Sequence, residues 1–222
     1  VTRAQLAAAT EKAVTDSVTR LQPDVLALQE VDRNLPRTAH QDFPALLAEK
    51  LGMRAIFDAN YRFEGGEYGN AVFTTLEVSA WKNHPLPGPQ GIEPRGCLQV
   101  DLKGGGKTLT VLNTHLGLKA PERAEQVAAI LGFLPTGDAF LAGDLNEVPE
   151  GAPVKALTGP LSDSFLQPVG GPEKSPVYTV FNRRIDYVLT SPGIRVLSSR
   201  IVNDPEAAAA SDHLPYVVEI EF

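Results

Sequence analysis

Apolar residues recur at helical spacing near the start of the chain, at Leu6, Ala13, Val14, Val18 and Leu21, with Pro23 just beyond them. That spacing predicts a helix over residues 2–21, ended by the proline. The pattern then changes period. Residues 24–28 form a short apolar run that reads as a buried strand, delivering Gln29, Glu30 and Val31 at its C-terminal end. Asp42 is placed to cap a second helix, with Pro44 in its first turn, Leu46, Leu47 and Leu51 on one face, and Gly52 as its stop. Residues 53–57 and 70–76 read as strands, and residues 83–96, dense in proline and glycine, as an irregular loop. Leu98, Val100 and Leu102 alternate with polar positions, and the same spacing runs through Leu109, Val111 and Asn113. Glycines at 104–106 between these runs predict a β-hairpin. A third helix is expected near residues 121–134 and further strands at 139–142, 185–189, 194–202 and 216–222. Strands and helices interleave without a linker, a composition shift or a repeat. The chain therefore reads as one α/β domain over residues 1–222.

Composition narrows the class. Apolar residues make up 43% and charged residues 21% of the 222, which excludes disorder and collagen-like repeats as the dominant state. A chain of this length buries roughly 70% of its unfolded surface, so its core needs no staples. No stretch approaches the ~18 consecutive apolar residues of a membrane span. Cys97 is the single cysteine, which excludes a disulfide scaffold. The net charge is -7 and no basic stripe is visible, which weighs against a tight grip on nucleic acid through many phosphates. It leaves open a phosphate substrate held through a metal ion. Residues 1–9 lack a charged segment followed by an apolar one, so the cytoplasm is the default expectation. A leader cleaved before Val1 would leave no trace, and export stays open. A monomer is expected.

Two familiar patterns are set aside. Gly104-Gly105-Gly106-Lys107-Thr108 resembles the end of a phosphate-binding P-loop, but Asp101 stands where that motif needs glycine and a strand follows instead of a helix. No Gly-x-Ser-x-Gly elbow occurs.

The polar residues at strand ends carry the chemistry. Glu30, the Asn113-Thr114-His115 segment, Gly143-Asp144-Leu145-Asn146, Arg184-Ile185-Asp186 and Ser211-Asp212-His213 each adjoin an apolar run. Taken singly, each reads as a solvated acid, a structural histidine, an ordinary turn or a buried Arg–Asp pair. Taken together, they set acids, amides and imidazoles at the ends of separate strands, where α/β sheets collect ligands on one rim. Carboxylates with an asparagine amide form a hard-oxygen set suited to Mg²⁺, with Mn²⁺ as a substitute. Zinc would want more histidine or cysteine. A hard cation beside imidazole and carboxylate bases is equipment for hydrolysing a phosphate ester.

The ordered segments LQEVD (28–32), YGNAVFT (68–74), NTHL (113–116), GDLNEVP (143–149), RIDYVL (184–189) and SDHLP (211–215) resemble the endonuclease/exonuclease/phosphatase superfamily. The resemblance implies a four-layer α/β/β/α sandwich, two mostly antiparallel sheets flanked by helices, with the site at one end. It implies roles as well. Glu30 would be the principal Mg²⁺ ligand, and Asp212 would take a metal or a metal-bound water. Asp144 would orient or deprotonate the attacking water, with Asn146 binding phosphate or steadying Asp144. Asp186 would hold His213 in one tautomer. His213 would meet the phosphate as acid or base, and His115 would donate to a phosphate oxygen. Asn70 and Asn113 fall on the substrate-binding side. Arg95 and Arg184 are read as phosphate-binding or structural arginines, Tyr187 as core, and His40 and His84 as solvated.

The expected activity is a metal-dependent phosphoesterase, a diesterase in preference to a monoesterase. Its rivals are a nuclease of the same superfamily and a non-catalytic binding domain on the same sandwich. The completeness of the acid and base set weighs against the last. The resemblance further implies a strand before the first helix, ending in a Thr-x-Asn-type segment whose asparagine reaches the metal. This chain opens on the helix. Roughly 15–40 upstream residues, one short strand plus a loop, are expected, or else another segment or a second chain fills that slot.

Overall fold

The structure is a computed structural model that describes residues 2–168 and 175–222. Helix α1 (Arg3–Leu21) starts with a capping box: Thr2 accepts from the Gln5 backbone, and the Gln5 side chain accepts from Thr2. Left-handed Gln22, just before Pro23, ends it. Strand β1 (Val25–Arg33) follows. Helix α2 (Phe43–Leu51) is capped by Asp42, with Pro44 in its first turn, and stops at Gly52 as expected. Next come β2 (Arg54–Phe63), β3 (Gly66–Thr74), β4 (Glu77–Pro85), β5 (Gly96–Gly104) and β6 (Lys107–His115). The glycine run between β5 and β6 is the two-residue hairpin turn foreseen, with Gly105 and Gly106 both at positive φ. Helix α3 (Ala120–Gly132) crosses over to β7 (Ala139–Asp144), parallel to β6. The chain continues through α4 (Ala152–Leu157), β8 (Ser162–Asp163), β9 (Asp186–Thr190), β10 (Arg195–Ile201), α5 (Pro205–Ala210) and β11 (Tyr216–Glu221).

Three core clusters separate four layers. Ala7, Val31, Leu47 and Phe73 join α1 and α2 to one sheet. Ile56, Val72, Val100, Val111 and Phe140 fill the space between sheets. Val127, Ile130, Leu141 and Leu157 join α3 and α4 to the outer face of the second sheet. Among the described residues, every strand pair except β6–β7 is antiparallel. The sandwich is as expected. One side is a six-stranded sheet ordered β4-β5-β6-β7-β9-β8, and the other is split into β1-β3-β2 and β10-β11. Between the two parts lies a cleft of about 1270 Å³.

Strand β4 reaches into what reads as loop in the sequence. His84, expected in solvent, stacks on Phe133 with ring centroids 4.0 Å apart and bonds Gln99. Among the described residues, no helix is long and apolar enough to cross a membrane.

Candidate active site

The C-terminal ends of β1, β6 and β7 meet the start of β9 at one rim. Strand register does most of the assembly: His115 pairs opposite Asp144, and Asp144 opposite Asp186. Three ionisable side chains thus stand side by side on adjacent strands. Only glycine permits this approach at 143. Its φ is 150°, and a Cβ there would lie 1.9 Å from the Thr114 carbonyl oxygen.

Glu30 arrives by a different device. The β1–β3 register slips between Leu28 and Val31, and Glu30 sits in that bulge at a φ of 58°. An acidic residue in the left-handed region is held there by its surroundings, at a cost of about 1–3 kcal/mol. The bulge carries the Glu30 carboxylate out of the strand to within 3.7 Å of His115 Nδ1.

Arg95 fixes the other half of that imidazole. Its Nη1 donates to His115 Nδ1 at 2.7 Å. A guanidinium only donates, so Nδ1 is the acceptor and the His115 proton sits on Nε2. Nε2 lies 3.5 Å from Asp144 Oδ2. Burial and the adjacent Arg95 charge push the His115 pKa down to about 3, so the ring is neutral. Arg95 also pairs with Glu93 at 2.7 Å.

His213 is in the opposite state. Its Nδ1 lies 2.9 and 3.1 Å from the two Asp186 oxygens, and that hydrogen bond raises its pKa to about 9. The segment is held in place by Ser211 Oγ, which accepts from the His213 backbone, and by the Leu214 N–H, which donates to Thr179. Asp144, buried and facing Asp186, is raised to about 6. Its Oδ1 accepts from the Asn146 backbone at 2.7 Å, while the Asn146 side-chain amide donates to Leu116. The rim therefore holds a neutral imidazole, an imidazolium and a carboxylate that titrates close to neutrality, a division of labour typical of catalytic sites.

The donor set fits a hard divalent cation. Asp144, Asp186 and His213 each offer a ligand atom within 4.8 Å of the others. His213 Nδ1 is already engaged by Asp186, which leaves carboxylates as the open donors. Asp144 and Glu30 lie beside opposite nitrogens of the His115 ring, and Glu30, outside that group of three, is 64% exposed. Hard oxygen donors of this kind suit a hard divalent cation better than softer metals.

Glu30, Arg95, His115, Asp144, Asn146, Asp186 and His213 thus come together. Asp212 stands outside this group: it is exposed, and its charge reaches the site through His213. Asn113 and Asn70, expected on the substrate side, and Arg184, read as phosphate-binding or structural, make buried hydrogen bonds within the fold. Asn113, fully buried, donates to the carbonyls of Leu28 and Ala71 and accepts from Gln29, tying the two sheets together. Asn70, 2% exposed, donates to Gly96 and Asn113. Arg184 is buried, bonds both Asp163 oxygens at 3.1 and 2.5 Å, and lies against Phe165 and Tyr187. Its guanidinium is fully committed away from the rim. Tyr68 also belongs to the rim: burial, with the Glu30 charge nearby, holds its hydroxyl protonated. Alternation along β3 places it on the Asn70 face, one step nearer the rim.

The His213–Asp186 pair gives a direct test. Asp186→Asn should return the His213 pKa from about 9 towards the ordinary 6.5. Imidazole NMR on metal-free protein reads this, and an unmoved titration would detach His213 from Asp186. By linkage, a raised histidine pKa stabilises the fold fully below about 6.5, and the gain is lost as pH rises through about 9.

Known proteins with this architecture carry the same sandwich. The structure superposes on an endonuclease/exonuclease/phosphatase family protein from Leptotrichia buccalis with a TM-score of 0.79 and 20% identity, covering 96% of this chain and 93% of that one. The human Nocturnin catalytic domain with bound sulfate gives 0.79 and 22%, covering 96% and 86%. A mannosyl-6-phosphatase from Bacteroides thetaiotaomicron gives 0.74 and 20%, covering 97% and 92%. At such identities the likeness is one of fold. No curated protein sequence matches. The sequence itself matches the family model over residues 3–213, a span that holds every rim residue named above. On that match, the chain belongs to the endonuclease/exonuclease/phosphatase family.

Proposed function

We propose that the protein is a divalent-metal-dependent hydrolase of phosphoesters that prefers diesters to monoesters. The observation that carries this is the row His115, Asp144, Asp186 across three strand ends, closed by His213. In it, Asp144 is the base: a carboxylate raised to about 6 takes a proton from water more readily than an ordinary aspartate, and is still ionised at pH 7. The His213 imidazolium, oriented by Asp186, faces charge developing on the phosphoryl group. His115 presents Nε2–H to a phosphoryl oxygen, with its tautomer fixed by Arg95. Glu30 and Asp144 would hold Mg²⁺ or Mn²⁺, which when bound neutralises phosphoryl charge and acidifies water.

Charge supports the diester preference. The cationic groups of the rim, His213 and Arg95, are each already engaged by a carboxylate. A singly charged diester suits such a site better than a doubly charged monoester. The net charge of -7 disfavours long nucleic-acid tracts. Structural neighbours named as a phosphatase and a nocturnin domain fit a phosphoester substrate in general.

The test is a substrate panel: bis-p-nitrophenyl phosphate, p-nitrophenyl phosphate, plasmid DNA, sphingomyelin and inositol phosphates. The expected result is diester hydrolysis that needs Mg²⁺ or Mn²⁺ and stops with chelator. Rapid plasmid nicking at low enzyme, with nothing on the other substrates, would establish the nuclease instead. Calorimetry showing no metal binding at millimolar Mg²⁺ would leave a binding domain.

A further inference from the structure

Nothing in a glutamate favours the left-handed conformation that Glu30 adopts at the β1 bulge, so its neighbours must hold it there. On the N-terminal side the anchor is Asn113. Its side-chain amide donates to the Leu28 carbonyl at 2.9 Å, and its side-chain oxygen accepts from Gln29 at 2.7 Å. On the C-terminal side the ladder resumes with Val31 opposite Gly69 and Asp32 opposite Tyr68. Gly69 brings no side chain to that restart, and a Cβ there would lie 2.0 Å from the Asp58 carbonyl oxygen. Asp32 and Tyr68 are therefore the first cross-strand pair at which side chains on both strands can pin the strand after the bulge.

Arg37 engages both members of that pair. Its Nε and Nη2 donate to the two Asp32 carboxylate oxygens at 2.8 and 2.6 Å. Its guanidinium carbon lies 5.1 Å from the Tyr68 ring centroid and 5.7 Å from that of Phe63. A forked ion pair and two aromatic neighbours fix a planar group in orientation as well as in place. Asp32 is 6% exposed, a depth at which a carboxylate needs such a partner. Arg37 can reach back five residues because the loop after β1 folds onto itself. The Asn34 N–H donates to the Gln41 carbonyl, the His40 N–H to the Leu35 carbonyl, both at 2.9 Å, and Leu35 is fully buried. Arg37 sits on this loop in a single 3₁₀ turn, Pro36–Thr38. The loop has its own bonds, so removing the guanidinium is a local event.

Charge and geometry make opposite demands at this position. The Arg37 charge lies within electrostatic reach of Glu30. A cation there competes with a metal ion for the same carboxylate, and by charge alone it weakens metal binding. Any gain from Arg37 must come through placement.

We infer that Arg37 is a positioning residue: by clamping Asp32 and Tyr68 it fixes the C-terminal side of the bulge and so presents the Glu30 carboxylate to a divalent cation. The inference rests on the metal-binding role proposed for Glu30. Asn113 from one side and Arg37 from the other confine the bulge between them.

The experiment is calorimetric titration with Mg²⁺ of the parent, of Arg37→Met and of the double variant Asp32→Asn with Arg37→Met. The double variant removes one charge of each sign, so local net charge stays as in the parent, and it leaves no buried carboxylate without a partner. Expected is Mg²⁺ binding at least ~10-fold weaker in both, the scale on which partners behind a metal ligand act. Loss of positive charge alone would tighten binding, so unchanged or tighter binding would overturn the inference. Amide hydrogen exchange on the metal-free proteins supplies a second readout. Residues 30–33 should exchange at least ~10-fold faster in the variants, with residues 71–73 on β3 unchanged. Equal exchange at 30–33 would also overturn the inference. A parent that binds no Mg²⁺ would remove the hydrolase reading, and the exchange comparison would still decide whether Arg37 clamps the bulge.

Discussion

Asp144→Asn should lower turnover of bis-p-nitrophenyl phosphate by at least ~10²-fold, the scale of a lost general base. The substitution keeps an oxygen to accept from the Asn146 backbone, so the turn after β7 survives and circular dichroism should be unchanged. Stability should move the other way. A carboxylate whose folded pKa is raised to about 6 is disfavoured as an anion, so its ionisation removes stability as pH climbs from the ordinary carboxylate range through 6. At pH 7, metal-free Asp144→Asn should therefore melt higher than the parent. Loss of activity with a gain in melting temperature is the signature of a site residue held against its own preference. A variant with parental turnover would remove Asp144 from the chemistry.

Asp163→Ala should be the most damaging change away from the rim. It leaves the Arg184 guanidinium buried without its anion, between Phe165 and Tyr187. Removing one member of such a pair costs about 3–5 kcal/mol. For a chain of this size that is a fall in melting temperature of roughly 6–20 °C. Replacing both members, Asp163→Leu with Arg184→Met, should recover most of the loss, since an apolar pair needs no desolvation of charge. Turnover per folded molecule should stay at the parental level in both. A parental melting temperature for Asp163→Ala, or a selective rise in KM, would return Arg184 to the substrate.

What the sequence made legible follows from locality. His115, Asp144 and Asp186 each end an apolar run, and strand register then aligns them without further information. Asn113 and Asn70 share that legible pattern but sit two residues deeper than His115 and Tyr68, about 7 Å along a strand. That depth separates the rim from the packed space between sheets, and no single-residue pattern reports it. Arg184 was ambiguous because its partner lies 21 positions away in a two-residue strand. Strand β4 was missed because most of its side chains are exposed, which removes the apolar alternation that marks a strand. Helices α4 and α5, six residues each, are too short to display a period. The divided sheet could be anticipated from the family resemblance alone, because it concerns a pairing and not a pattern.

The bulge at Glu30 bears on how such a site is gained or lost in evolution. Between Leu28 and Val31, β1 advances one residue more than β3 does between Ala71 and Gly69. Loss of a single codon there restores an unbroken ladder, with every flanking side chain still on its proper face. The carboxylate proposed to hold the metal would leave its place while the architecture stayed whole. One in-frame deletion is thus the mutational distance between this arrangement and an inert scaffold, and one insertion is the distance back.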